Sequence, residues 1–278
     1  MLVSELYIYP IKSCQGIKLT QAEVRQTGFF RDREMMLVSQ SGKFITQRQF
    51  PRLARVKVAI DEDELTLSIE DNSVAPLTFI PSFRGKTMEV KIWQDFTIAI
   101  DQGNTVARWF HRVLQLEDNK ECRLVRQSPQ YVRSVKTSEP VSLADNYPFM
   151  LTATASLEEL NQRIVEIRQQ PAQAIPMNRF RPNIVIDTET PFVEDNWREI
   201  QIGTVKFWVV KPSSRCIITT IDQKQGEKNE YKEPLSTLGT FRQFSEQGVM
   251  FGENMIPRNR GTIAIGDRLE VIQFRETK

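Results

Sequence analysis

Short runs of alternating apolar residues, interrupted at close intervals by turn formers, constrain this chain more than any other feature of its sequence. Val56, Val58 and Ile60 alternate, residues 61–64 (DEDE) form a polar turn, and Leu65, Leu67 and Ile69 alternate again. A period of two sends one side of a segment into a core and the other into water, as in a half-buried strand. Residues 35–39 and 44–47 flank a Gln-Ser-Gly-Lys turn in which Gly42 is free to take positive φ. Residues 90–93 and 96–100 continue the pattern across Gln94-Asp95, and further strands are expected at 183–187, 205–210, 215–220, 261–266 and 268–274. The run from Ile263 to Val271 around Gly266-Asp267 predicts a closing hairpin. The fold class expected is mainly β with some helix (α+β), built of barrels rather than a parallel sheet.

Two segments change period. In residues 104–115, Val106, Phe110, Val113 and Leu114 fall on one face of a helix, with His111 beside that stripe. Ser156 and Glu159 have capping-box spacing, Leu160, Ile164 and Ile167 supply the next buried stripe, and Gln170-Pro171 ends it. The polar run at 116–121 marks a boundary that divides the chain into an N-terminal barrel-like domain, 1–120, and a C-terminal domain, 121–278.

Several function classes are disfavoured. The formal net charge is only +2 and the charges are scattered, so no basic stripe offers itself to a nucleic acid polymer. No run approaches the ~20 apolar residues of a membrane span, and the N-terminus lacks a signal-peptide pattern. Cys14, Cys122 and Cys216 are odd in number and far apart, which fits a reducing, cytoplasmic setting rather than a disulfide framework. With His111 the one histidine, zinc sites of paired Cys and His are excluded, and a packing or surface role suits it better than catalysis. There is no GxGxxG or Walker loop, no flavin motif, and no cysteine cluster for an iron–sulfur centre.

Chemistry concentrates in residues 9–16 (YPIKSCQG), 178–186 (NRFRPNIVI) and 211–220 (KPSSRCIITT), where Arg, Lys and Ser stand beside turn formers at strand ends. Such groups bind phosphate, Arg by bidentate bonds and Lys as a point charge. Alone, each segment is weak evidence, since Arg beside Pro at a strand end is usually a solvated loop. Cys216 is either a buried thiol on a strand or a thiolate beside Arg215, suited to a soft or redox-active metal.

Taken in order, YPIKSCQG, TGFFRDREMMLV, SLEELNQRI, RFRPNIVI, SRCIITTID, EPLSTL, FGENM and GTIAIGDRLEV span nearly the whole chain. The sequence thereby resembles the MOSC family with its N-terminal β-barrel domain, and is similar to the mitochondrial amidoxime-reducing components and to bacterial reductases that detoxify N-hydroxylated bases. The resemblance implies a C-terminal MOSC β-barrel and a molybdenum cofactor (Mo-molybdopterin) in the cleft between the halves, with Cys216 as the protein's ligand to the metal. It implies further that Lys12, Ser13 and Arg33 hold the phosphate end. Arg181, Asn183, Ser214, Arg215 and Asn254 become cofactor contacts, as does the loop Asp145-Asn146-Tyr147. The implied activity is reduction of hydroxylamines, amidoximes or N-hydroxypurines, with Asp222 or bound water as proton source. Electrons would come from a separate ferredoxin-like or cytochrome b5-like protein with its reductase. The alternatives are a sulfur-handling or cofactor-carrier protein that uses Cys216 as a persulfide or ligand site, and a binding module whose cysteine is structural. Two features depart from the family. Gln223-Lys224-Gln225-Gly226 stands where relatives often have Pro-x-Thr-Gly, which puts the stiffness of that turn in doubt. Ser213 stands where they often have a second cysteine.

Overall fold

The period-two pattern resolves into sheets in the computed structural model, which describes residues 1–134, 139–169, 174–244 and 248–276. Strands Val56–Asp61 and Glu64–Ile69 pair with Val58 opposite Leu67. Met35–Ser39 turns back on Phe44–Ile45 through Gly42, whose φ is +76° and where a Cβ would stand 2.4 Å from the Glu89 carbonyl oxygen. Only glycine fits that turn. Helix α1 (Asn104–Leu114) buries Val106, Trp109, Phe110, Val113 and Leu114 in one cluster with Val56, Leu67 and Leu124. His111 stays at the rim of this helix, near the Glu117 carbonyl.

The largest sheet runs in the order Ile17–Leu19, Leu2–Ile8, Ile184–Asp187, Phe149–Ala153, Gly248–Pro257, Val205–Ser214, Trp197–Ile202, Leu269–Phe274. Its core holds Leu6, Trp197 and Met255, with Phe149 edge-on to both Phe29 and Phe207. Phe149–Ala153 and Ile184–Asp187 are parallel, and helix α2 (Thr154–Arg168) lies in the connection that this pairing needs. Helix α3 (Leu235–Phe241) packs Leu238 beside the α2 residues Leu160 and Ile164. The chain is thus strand-rich with a few helices, as its alternation indicated.

The halves exchange strands across residue 120. Leu2–Ile8 lies in the C-terminal sheet, Gln21–Arg25 pairs with Gly261–Ala264, and Cys122–Gln127 sits between Asp95–Asp101 and Met35–Ser39.

Local expectations fail in four places. Gly261–Ala264 and Leu269–Phe274 do not form a hairpin; they pair with Gln21–Arg25 and Trp197–Ile202, where Ile263 and Leu269 are buried. Ser156 does not cap α2, which begins earlier after Ala153; its hydroxyl instead donates to the buried Glu194 carboxylate at 2.8 Å. Ile167 faces outward, 49% exposed, so the buried stripe stops at Ile164. Residues 215–220 are not a strand: Ile217–Thr220 forms one turn of 3-10 helix. The Thr219 and Thr220 hydroxyls donate back to the Cys216 and Ile217 carbonyls, offering the backbone an alternative to a ladder. The expected stop at Gln170-Pro171 lies outside the described residues. Among the described residues, no helix is long and apolar enough to cross a membrane.

Candidate functional site

The 3-10 turn decides where Cys216 points. Val205–Ser214 ends two residues earlier, and Cys216 occupies the extended position just before the turn, with its side chain part-exposed. Its sulfur accepts an N–H from Arg48 Nη2 at 3.2 Å. Cys14 and Cys122 are buried, and burial pushes their thiols up to about 12 and about 11. Both pack in the core cluster that α1 covers.

Cys216 opens on a cavity of about 380 Å³. Lys12, Ser13, Arg33, Asp145, Asn146, Tyr147, Arg181, Asn183, Ser214, Arg215 and Asn254 all line it with Cys216. They come from loops after Leu2–Ile8, before Met35–Ser39, before Phe149–Ala153 and before Ile184–Asp187, and from the two long strands Val205–Ser214 and Gly248–Pro257. Ser13, Arg33 and Arg181 have φ of +72°, +51° and +54°. Left-handed backbone costs a side-chain-bearing residue roughly 1–3 kcal/mol and persists only where the surroundings fix it. Tyr9 steadies two of the three: its ring carries the guanidiniums of Arg33 at 4.5 Å and Arg181 at 4.2 Å, its carbonyl accepts the Arg33 N–H, and its hydroxyl donates to the Pro182 carbonyl.

Asp222 lies elsewhere. It lines a separate cavity on the far side of Arg179, which donates to it at 3.1 Å. Its Oδ1 accepts the N–H groups of Lys224 and Gln225. Burial would raise this carboxyl, but those N–H bonds and the Arg179 charge hold it below the usual range. The same bonds, with Gly226 at φ +68°, staple the turn whose stiffness its sequence left in question. Gln223 exchanges reciprocal amide bonds of 3.1 Å with Gln47 and accepts from Arg181.

The lining is cationic. Lys12, Arg33, Arg48, Arg179, Arg181, Lys211 and Arg215 face the cavity together with the carboxylate of Asp145. Asp145 pairs with Lys12 at 2.7 Å, and Asp32 with Arg33 at 2.6 Å. Among the described residues no carboxylate comes within ion-pair distance of Arg48, Arg181, Lys211 or Arg215. Burial pushes Arg181 and Arg215 down to about 10, which still leaves both charged. Arg181 Nη2, Arg215 Nε and Arg179 Nε are buried with no acceptor. Burial also pulls the Lys12 ammonium down to about 8 against the opposing pull of Asp145. Despite its own desolvation, Asp145 is held well below the usual carboxylate range by Lys12, Arg48 and the Trp93 indole.

Not every expected contact has a free hand. Asn183 is 1% exposed, and its amide already accepts from Arg33 and Met150 and donates to Tyr7. Arg33 also donates to the Arg181 carbonyl, so Asn183 steadies Arg33 and Arg33 braces Arg181. Arg48, Trp93, Arg179 and Lys211 line the cavity without having been flagged by sequence. Arg179 and Lys211 stood inside the quoted basic segments; Arg48 and Trp93 carried no such signal.

Residues 1–117 match the family model of the MOSC N-terminal beta barrel domain, and residues 138–270 that of the MOSC domain. Mitochondrial amidoxime-reducing component 1 of Mus musculus is 33% identical, over 95% of this chain and 80% of the mouse protein. Mitochondrial amidoxime reducing component 2 of Bos taurus is 32% identical over 95% of this chain and 81% of its own length. Molybdenum cofactor sulfurase of Danio rerio is 29% identical over 86% of this chain, a match that takes in 30% of the sulfurase.

Proposed function

The chain belongs to the MOSC family, in the form that joins an N-terminal beta barrel domain to a MOSC domain, and from that premise we propose that it is a molybdenum-cofactor-dependent reductase of N-hydroxylated compounds. The observation that carries the proposal is the meeting of one part-exposed sulfur with buried guanidiniums whose N–H groups lack acceptors. That donor set fits a cofactor that is anionic at its phosphate and brings most of the metal's ligands itself. Cys216 would supply the remaining thiolate, and a soft thiolate suits such a metal. Arg181 and Lys12 would neutralise the phosphate, Arg215 and Ser214 would flank the metal end, and Asn254 would offer its amide oxygen.

Bound there, the cofactor would supply the two-electron redox chemistry, while the protein supplies binding, orientation and electrostatics. In the overall reaction the N–O bond breaks, two electrons and two protons enter, and an amine and water leave. The electrons come from a separate redox protein, of ferredoxin-like or cytochrome b5-like class. Asp222 is turned to the other cavity and held as a carboxylate, so the protons are drawn from water at the cavity mouth.

Likeness to the sulfurases supports a second reading, in which Cys216 carries a persulfide or hands the cofactor on. Turnover separates the two. Holoprotein given reduced viologen should convert a hydroxylamine or an amidoxime to the amine, and with NADH alone it should do almost nothing. Full molybdenum occupancy with no turnover from any donor, together with transfer of the cofactor to an apo-acceptor, would replace the reductase by the carrier.

A further inference from the structure

Arg48 touches the sulfur of Cys216, yet it belongs to none of the basic segments. It follows the short strand Phe44–Ile45 in the N-terminal half, and its Nη2 donates to Cys216 Sγ at 3.2 Å. Its guanidinium lies over the Trp93 ring, 4.7 Å from the centroid. Trp93 sits at the turn between Thr87–Ile92 and Asp95–Asp101 with φ +57°. A bulky side chain seldom takes that conformation. The ring is fixed there from two sides: Nε1 donates to Asp145 Oδ1 at 3.2 Å, and Phe44 meets it edge-on at 5.3 Å. Asp145 in turn accepts from Lys12 at 2.7 Å. A continuous set of contacts therefore runs from Lys12 through Asp145, Trp93 and Arg48 to the sulfur. Trp93 is held along it in a costly backbone conformation and with its indole 45% exposed.

We propose that Arg48, held in place by Trp93, is the positioning residue of Cys216, fixing the direction of the sulfur and making a metal bound to it easier to reduce. This rests on the reading of Cys216 as the metal ligand. A hydrogen bond and a positive charge at a ligating sulfur withdraw electron density from it, and hydrogen bonding around such a sulfur tunes the potential of the metal. Among the described residues no carboxylate is within ion-pair distance of Arg48; its charge reaches Asp145 only at longer range, while its contacts are with the sulfur and the indole. A guanidinium suits this task because it can stack by its plane and donate along its edge at once.

The test is a redox titration of the molybdenum in full-length holoprotein, followed by the Mo(V) signal, with metal content measured on the same samples. Arg48→Met should keep its molybdenum while reduction of the metal becomes about tenfold less favourable, the scale of one lost charge-assisted bond. Arg48→Lys, which keeps the charge but not the stacked plane, should fall between Arg48→Met and the wild type. Trp93→Ala should shift the potential in the same direction, and adding it to Arg48→Met should change nothing further, because both act through one contact. A wild-type potential in both loaded Arg48 variants would overturn the proposal. So would loss of molybdenum from both, which would make Arg48 a cofactor anchor instead. Additive shifts from Trp93→Ala and Arg48→Met would remove Trp93 from it. A wild-type protein that holds no metal at all would remove the reading of Cys216, and this proposal with it.

Discussion

Arg181 shows what burial does to a guanidinium that has left water without meeting an acid. Its Nη1 donates to Gln223 at 3.3 Å, its Nη2 has no acceptor, and its backbone is left-handed. An anion in the cavity would satisfy that N–H with a charge-assisted bond, so Arg181→Ala should lower cofactor occupancy by the loss of roughly 1.5–3 kcal/mol, read as metal per chain, without unfolding the chain. Unchanged occupancy with a lower melting temperature would make Arg181 a structural residue. Lys12 gives the pH dependence. In the cofactor-free protein its ammonium is held at about 8, and an anion favours the charged form. Sulfate affinity should therefore fall as pH rises through about 8, because neutral lysine no longer attracts the anion, and Lys12→Met should be weak and flat across that range. Asp222→Asn should keep turnover within about twofold, since a solvent-supplied proton needs no carboxylate there; its amide oxygen still accepts the Lys224 and Gln225 N–H groups, and it loses only the charge-assisted contact with Arg179. A tenfold fall in turnover would restore an acid role to it. Residue type beside a strand end marked Lys12, Arg181 and Cys216 as candidates, the family resemblance supplied their roles, and the fold brings all three to one cavity. Arg48 and Trp93 were not legible in the sequence, since a Thr-Gln-Arg loop and a Trp-Gln turn acquire meaning only when tertiary packing stacks one on the other.

Elements tell the same story through hydrogen bonds. Ser156 and Glu159 have the spacing of a capping box, but spacing does not say which acceptor is nearer. The buried Glu194 carboxylate takes the serine hydroxyl at 2.8 and 3.0 Å, the Ser156 Oγ in turn accepts the Phe192 N–H, and Glu159 pairs with Arg163. Burial raises Glu194 to about 7, against which the Ser156 bond pulls it down. Ser156→Ala should therefore cost about 1–3 kcal/mol of stability, measured by urea unfolding. The deficit should be larger above about pH 7, where Glu194 is ionised, than below it. A loss independent of pH would assign the effect to packing. The alternation that located Val56–Asp61 and Glu64–Ile69 is local, and those strands pair with each other. The same alternation at Gly261–Ala264 and Leu269–Phe274 misled, because their partners lie far away in the chain. Residues 215–220 looked like a strand by β-branched content, and the threonine hydroxyls bent them into the turn that exposes Cys216.

At the scale of the molecule, the site exists because the two halves are interlocked. The first strand of the chain lies in the C-terminal sheet, and the reciprocal Gln47–Gln223 amide pair is buried between the loops that present Ser13 and Cys216. Gln223, a departure from the family pattern, thus ties the turn after Cys216 to the N-terminal half and to Arg181. The order of motifs along the chain implied a cleft fed by both halves, but exchanged strands could not be read from it, since pairing across such separations leaves no local trace. The proposed function requires Cys216 to hold the metal, and molybdenum content tests that requirement most directly. In protein made in a host that synthesises the cofactor, molybdenum per chain should be near stoichiometric in the wild type, in Cys14→Ala and in Cys122→Ala, and should be mostly lost from folded Cys216→Ala. Molybdenum retained in Cys216→Ala, or lost equally from all three variants, would contradict it.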